Sequence, residues 1–388
     1  MTDATTALET DILIIGAGPV GMTLALALTD RRDSGRVLLV DSKPRGSFVN
    51  DPRALALSHG TRQLLESLHA WNATAGTPIC DIHVSQSGGF GRTVITREEQ
   101  GVEALGYVMR YRDLAAGLDK RLRADSVLDG CAVVATDIGA ESAIVTICRN
   151  GIEQPIRARL VVHAEGTPAN AADVSVRDYH QHAVLAEVRP EPAHSHRAWE
   201  RFTPDGPLAL LPLGEEYSVV FTVPPEKADV LMQMNDIAFL AALQQQFGTR
   251  LRFTATSSRA RYPLALRLRK NLCSSREVWI GNAAQTLHPV SGQGFNLGIG
   301  DAWELAEVLL AKNTADAGEL PALESYSRGR QFDRHGSAAF TDGIVRAFSN
   351  DLGPLRIARG LGLLALDLCP PARRFVSGRM IWGARAWP

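Results

Sequence analysis

Apolar and polar positions in this chain alternate between two rhythms. Asp11-Ile12-Leu13-Ile14-Ile15 is a continuous β-branched run, the pattern of a strand buried on both faces. Met22-Thr23-Leu24-Ala25-Leu26-Ala27-Leu28 follows with helical character, and Val37-Leu38-Leu39-Val40 reads as a second strand. Thr61 to Leu68 and Leu114 to Leu122 have helical spacing. Ile82 to Thr96 reads as strand broken at Gly88-Gly89, and Cys131 to Thr136, Ala143 to Cys148 and Leu160-Val161-Val162 read as strands. From about Ala172 the texture changes to short alternating strands separated by prolines, such as Ala183 to Val188 and Tyr217 to Val223. One helix is expected between Pro225 and Phe247, with Leu231, Phe239, Leu240 and Leu243 as its apolar stripe. After Ser325 the pattern is largely helical.

Two glycine clusters punctuate this pattern where a strand meets a helix. The first is Gly16-x-Gly18-x-x-Gly21, enclosed by strand, helix and second strand, with Asp41 closing the unit 25 residues after Gly16. That arrangement is the dinucleotide fingerprint: glycines for the turn, the pyrophosphate approach and the helix packing, and an acid for ribose hydroxyls. The second cluster runs from Gly281 to Gly298, between Val278-Trp279-Ile280 and a helical stretch from Ala302 to Leu310. Backbone N–H groups and a helix N-terminus suit an anionic ligand there too. Two such turns some 265 residues apart imply one long cofactor held from both sides.

Composition narrows the picture only a little. The chain has 388 residues, 45% hydrophobic and 21% charged, with a net charge of −1, so no global basic field recruits nucleic acid. Cys80, Cys131, Cys148, Cys273 and Cys369 form no Cys-x-x-Cys pair, and no signal peptide is read at the start, so reduced thiols and a cytoplasmic setting are expected. No apolar run reaches the ~18 residues of a membrane span. His180-x-His182 and His194-x-His196 would each share a strand face by alternation, yet no carboxylate or cysteine set accompanies them, and no metal is expected.

Taken together, Gly16-x-Gly18-x-x-Gly21, Glu165-Gly166 and Gly281-Asn282…His288-Pro289…Gly292-Gln293-Gly294…Asn296…Gly298…Asp301 resemble the FAD-dependent aromatic hydroxylases, the class A flavin monooxygenases. The spelling of Gly281 to Gly298, with the stretches Gly206 to Pro212, Tyr262 to Leu266 and the tail from Tyr326, is most similar to their ubiquinone-biosynthesis branch, enzymes of the 2-octaprenyl-6-methoxyphenol hydroxylase kind. The resemblance implies an α/β fold like that of p-hydroxybenzoate hydroxylase: a Rossmann-like FAD-binding domain with an inserted, mainly antiparallel substrate sheet and a helical C-terminal tail. The FAD-binding part would comprise 1–75, 101–171 and 273–325, the substrate domain 76–100 and 172–272, and the helical region 326–388.

By the same resemblance, Gly16, Gly18 and Gly21 contact the FAD pyrophosphate, Asp41 the adenosine ribose, and Arg53 the flavin-side phosphate and ribityl chain. Glu165, Gly166, Gly281 and Asn282 join the cofactor site. Pro289, Gly292, Gln293, Gly294, Phe295 and Asn296 run along the isoalloxazine ring, whose developing negative charge their amides would stabilise. His288 and Pro289 lie beside the flavin, His288 either as a base for a phenol or, the favoured reading, as a shaper of the loop. The chain departs from the family pattern at Asp41 (usually Glu), Asn282 (usually Asp), Gly300 (usually basic) and Glu165 (usually Asp), which Thr167-Pro168-Ala169-Asn170 follows without the usual serine and arginine. The implied reaction uses NAD(P)H as co-substrate and O₂, through a flavin hydroperoxide, to hydroxylate a polyprenylated phenol.

Two alternatives stand beside it: an FAD enzyme acting on another aromatic or an isoprenoid, or a non-catalytic flavoprotein of a quinone-synthesis complex. In the tail, Leu355, Ile357, Leu361, Leu363, Leu364 and Leu366 are interleaved with Arg356, Arg359, Arg373, Arg374 and Arg379. A basic amphipathic helix of this kind either lies on a membrane surface, here the inner membrane, or packs as a C-terminal helix on the cofactor domain.

Overall fold

A computed structural model describes residues 7–29, 35–167, 172–311, 316–350 and 352–382. Pro168, Ala169 and Asn170, and the side chain of Arg379, lie outside the described residues. The buried apolar runs assemble as the central strands of an eight-stranded sheet. Strand Leu8–Ile15 pairs in parallel with Val37–Val40 on one side and with Ile152–His163 on the other. Glu277–Trp279, nearly 120 positions further along, joins Ile152–His163 in parallel. Leu13, Ile14, Leu39, Val161 and Val162 are fully buried, as a sheet covered on both faces requires.

Helices Pro19–Thr29 and Gln293–Leu309 pack against each other over this sheet, around Met22, Leu26, Ala302 and Leu305. Because one follows the first glycine turn and the other the second, that packing brings the two turns together. A small sheet of Ala54–Ser58, Gly106–Arg110 and Thr77–Ile79 sits alongside.

Residues 174–269 contribute most of a nine-stranded, largely antiparallel sheet. Alternation divides its two faces. Trp199, Leu210, Val219 and Phe221 face two helices, against Leu231, Phe239 and Leu243. Ala198, Leu211 and Leu213 face the other way, against Ile79, Val108 and Ile381. The chain between Pro225 and Phe247 forms two helices, Pro225–Gln233 and Asp236–Phe247, where the pattern predicts one. Asn235 makes the break: its Oδ1 accepts Ala238 N at 2.9 Å and caps the second helix. Helices Leu320–Phe348, Gly353–Leu368 and Pro370–Trp382 complete the described chain.

The histidine pairs also differ from their expected placement. His180 occupies a bulge in strand Val174–Glu191, with φ of 52°, so it and His182 do not alternate regularly. His194 and His196 lie between strands; His194 is buried, its Nε2 against Gly214 O at 2.8 Å.

Candidate cofactor site

The first turn assigns its glycines different jobs. Gly16 adopts φ of +108°, and a Cβ there would stand 2.5 Å from the Ala164 backbone. A Cβ on Gly21 would overlap Gly16 O. Both positions therefore answer to packing within the fold. Gly18 does not: a Cβ there meets only Tyr111 Oη, at 3.5 Å, so its bare backbone faces open space. Asp41 braces the turn, with Oδ2 accepting Ala17 N and Oδ1 accepting Lys43 N, each at 2.8 Å. A carboxylate oxygen has two acceptor positions, so both remain able to receive ribose hydroxyls.

The second turn closes on the first through Val20. Gly281 adopts φ of +59°, and its Cβ would lie 3.1 Å from Val20; a Cβ on Gly298 would lie 3.1 Å from Gly281 Cα. The resulting cleft holds about 970 Å³ and is lined by Gly16, Gly18, Asp41, Arg53, Glu165, Gly166, Gly281, Asn282, Gly294 and Phe295. Two helix N-termini open onto it, those of Pro19–Thr29 and Gln293–Leu309. Their N–H groups and positive dipole ends fit a pyrophosphate, and the volume suits an elongated ligand. Arg53 adds a cation, held by Asp51 at 2.7 Å and stacked 4.5 Å over the Tyr111 ring.

Residues 9–335 match the family model described as "FAD binding domain". The chain belongs to that family. Across 94% of its length it is 32% identical to ubiquinone hydroxylase UbiL of Rhodospirillum rubrum, covering 87% of that protein. It is 28% identical to 3-demethoxyubiquinol 3-hydroxylase of Escherichia coli K12, over 92% of this chain and 95% of that one. It is 26% identical to human ubiquinone biosynthesis monooxygenase COQ6, over 94% and 90%. Among solved structures, p-nitrophenol 4-monooxygenase PnpA from Pseudomonas putida superposes with a TM-score of 0.76 at 16% identity, over 97% of this chain and all of that one. RebC with reduced flavin gives 0.68 at 21% identity, over 97% and 77%. The shared fold is the expected α/β FAD fold with its second sheet.

The loop from His288 to Asn296 enters the cleft only at Gly294 and Phe295; His288, Pro289, Gly292, Gln293 and Asn296 stand outside its lining. Asn296 acts as a clamp: Oδ1 accepts Ser58 N at 2.8 Å, and Nδ2 donates to Ala56 O and Gly292 O. His288 has no exposed surface and lies edge-on to Tyr179. Its Nδ1 accepts Val290 N at 3.1 Å, and burial pushes its pKa down to about 4. Burial keeps the ring neutral; it fixes the loop through Val290 N and stands outside the lining of the cofactor cleft.

Glu165 uses the length that sets it apart from aspartate. His163 Nδ1 donates to Glu165 Oε1 and its Nε2 to Glu277 Oε1, each at 3.2 Å, while the ring stacks on Trp279 at 4.9 Å. Burial opposes the charged form, but the two carboxylates outweigh it and raise His163 to about 9. A raised folded pKa means stability that is complete below the unfolded value, near 6.5, and lost as pH rises through about 9. The stability advantage of the protein over His163→Leu should therefore be largest at pH 6 and shrink by pH 9.5 in urea titrations. An advantage that does not vary with pH would contradict this charge state.

Two residues behind the cleft carry roles that the sequence pattern did not assign. Asp301 Oδ2 accepts Gly281 N at 3.0 Å and Gln285 Nε2 at 2.6 Å, and its Oδ1 accepts Arg330 Nε at 2.7 Å. Arg330, 2% exposed, also reaches Glu304, Asp333 and Leu297 O. Asp301 stands within the second glycine motif, but Arg330 lies in a polar helix with no glycine near enough to flag it except Gly329. The helix also holds Arg328, Arg334 and Arg346, and Arg330 lies four residues after the fully buried Tyr326, on one helix face.

Proposed function

We propose that this protein is an FAD-dependent monooxygenase that hydroxylates the aromatic ring of a polyprenylated phenol in ubiquinone biosynthesis, consuming NAD(P)H and O₂. The observation that carries this reading is the near-full-length likeness to three proteins named as ubiquinone hydroxylases or monooxygenases, in a chain whose cleft fits FAD. Bound FAD supplies the passage of electrons from NAD(P)H to O₂ and the delivery of one oxygen atom to the ring.

The chain's own residues bind, orient and exclude water. Gly18 and the N-terminus of Pro19–Thr29 receive the pyrophosphate, with Gly16 and Gly21 fixing the turn. Asp41 holds the adenosine ribose, Arg53 the flavin-side phosphate, and Asn282 the ribityl hydroxyls. Gly294 and Phe295, which line the cleft, would offer amides to the ring, in a loop fixed by Asn296 and His288. The nicotinamide visits a groove transiently, because the chain has no second fingerprint followed by a ribose-binding acid. In this reading 1–75, 101–171 and 273–325 hold the cofactor, 76–100 and 172–272 cover the substrate, and 326–388 forms the helical flank.

A prenylated substrate resides in a membrane, and the helical flank offers a surface to meet it. No helix among the described residues is long and apolar enough to cross a bilayer. Helix Gly353–Leu368, however, carries Ile357, Leu361, Leu364 and Leu368 along one stripe, 40–74% exposed. Arg356 is exposed beside it, whereas Arg359 and Arg373 are engaged with backbone carbonyls and Glu99. The stripe docks on the lipid surface. Replacing Leu361 and Leu364 together by glutamate should lower binding to anionic liposomes about tenfold or more, since each buried leucine contributes ~1.5–3 kcal/mol. Unchanged co-sedimentation would remove the stripe from this role.

The reaction itself is tested with purified yellow protein and a prenylated phenol. Stimulated NAD(P)H oxidation with a product bearing one added ring hydroxyl is expected. Flavin that no nicotinamide reduces, or phenols that leave the oxidation rate unchanged, would defeat the proposal.

A further inference from the structure

Strand Arg197–Phe202 presents alternate side chains to two environments. Trp199 packs on the helix-covered face, against Phe247. Ala198 joins Ile79 and Val108 on the opposite face, and Phe202 stacks on Phe348 there at 3.9 Å. Glu200 shares that second face. Its lateral neighbours across the sheet are Ala209 and Val84, neither able to bond a carboxyl.

The Glu200 Oε1 is cut off from solvent and has no hydrogen-bond partner. The residue as a whole keeps partial exposure, so open space borders it. Thr93 lies two strands away in the same row, and Thr222 two positions along from Val220, which faces Ala209. Both keep a buried, unpartnered hydroxyl on this face. Unsatisfied buried groups are costly and rare, and of the three Glu200 alone is an acid on a residue that keeps partial exposure.

The face also lies next to the cofactor cleft. It packs on Ala54, at the start of the strand whose Ala56 and Ser58 are clamped by Asn296 of the glycine loop. On the same face Arg110 is held by both oxygens of Glu187, at 3.1 and 2.5 Å.

Burial alone pushes the Glu200 carboxyl up to about 8, so at pH 7 it is largely neutral, with one O–H to donate and one carbonyl to accept. A phenolic hydroxyl, itself donor and acceptor, is its complement. A ring carboxylate is not, because it would meet an apolar wall, an acid and an arginine already paired.

We propose that Glu200 is the polar end of the substrate site, holding a neutral hydroxyl of the aromatic ring and selecting against ring carboxylates. The proposal rests on the ring-hydroxylase reading above. The test compares wild type, Glu200→Gln and Glu200→Leu for FAD content, thermal melting, binding of a short-chain prenylated phenol followed by flavin absorbance, and product formed per NAD(P)H.

Glu200→Leu should keep its FAD and melt no lower than wild type, since it removes an unpaired buried acid. It should bind the phenol about tenfold or more weakly and form less product per NAD(P)H. Glu200→Gln, which keeps the shape and both hydrogen-bonding senses, should retain part of the binding. Wild type should bind the phenol more tightly than the corresponding ring carboxylate. Variants that bind and hydroxylate the phenol like wild type, or a Glu200→Leu that melts lower with phenol binding intact, would overturn the role of Glu200. A wild-type flavoprotein indifferent to every phenol offered would instead overturn the hydroxylase reading, and this proposal with it.

Discussion

Arg330→Met should destabilise the protein by about 3–5 kcal/mol, the cost of removing one partner from a buried ion pair. Asp301 would keep its bonds from Gly281 N and Gln285 but lose the charge that offsets its own. Both side chains are 2% exposed, so water cannot take the place of the guanidinium. Against a typical total stability of ~5–15 kcal/mol this is a large fraction. The effect should reach the cofactor as well, because Asp301 positions the amide of Gly281 at the cleft. Urea unfolding of the holoprotein gives the measurement. The double variant Asp301→Asn, Arg330→Met should recover at least about 1 kcal/mol of the loss, since the most deeply buried of the carboxylates it leaves behind is then neutral. A single variant within 1 kcal/mol of wild type would show that the pair does not hold the loop.

How much of this was legible beforehand depended on the range of the interaction. The strand Leu8–Ile15, the turn at Gly16 and the helix Pro19–Thr29 follow from one continuous stretch of chain, because strand burial and a tight turn are local demands. The pairing of Gly16 with Gly281 could be inferred because each turn presents the same anion-binding chemistry. Asn296 was expected at the flavin ring, yet it bridges to Ser58, 238 positions away, and no local pattern marks that partner. Arg330 likewise acts only once Leu320–Phe348 packs on Gln293–Leu309.

Glu200 illustrates a different limit. Alternation says that it faces away from Trp199, but which face meets the cofactor half is decided by Ile79, Val108 and Ile381, scattered through the chain. The missed break at Asn235 was of a third kind. Its capping signal was present in Asn235-Asp236, but the leucine stripe running through both helices masked it.

Two glycines of the first turn, Gly18 and Gly16, should fail in distinct ways. Valine at Gly18 meets little protein, the nearest atom to its Cβ being Tyr111 Oη at 3.5 Å, so the apoprotein should fold with wild-type stability. Its side chain would nevertheless fill the space where a pyrophosphate must touch backbone, and FAD affinity should fall about 100-fold or more, roughly 2.7 kcal/mol. Valine at Gly16 is excluded by φ of +108° and by the Ala164 backbone 2.5 Å from its Cβ, so the turn itself cannot close. That variant should lose both stability and cofactor. Flavin fluorescence titration of apoprotein, paired with urea unfolding, separates the two outcomes. Gly18→Val that binds FAD as tightly as wild type would mean that the pyrophosphate does not lie on this turn. Gly16→Val that unfolds at the wild-type midpoint would mean that the crossing of Gly16 over Ala164 does not constrain the fold.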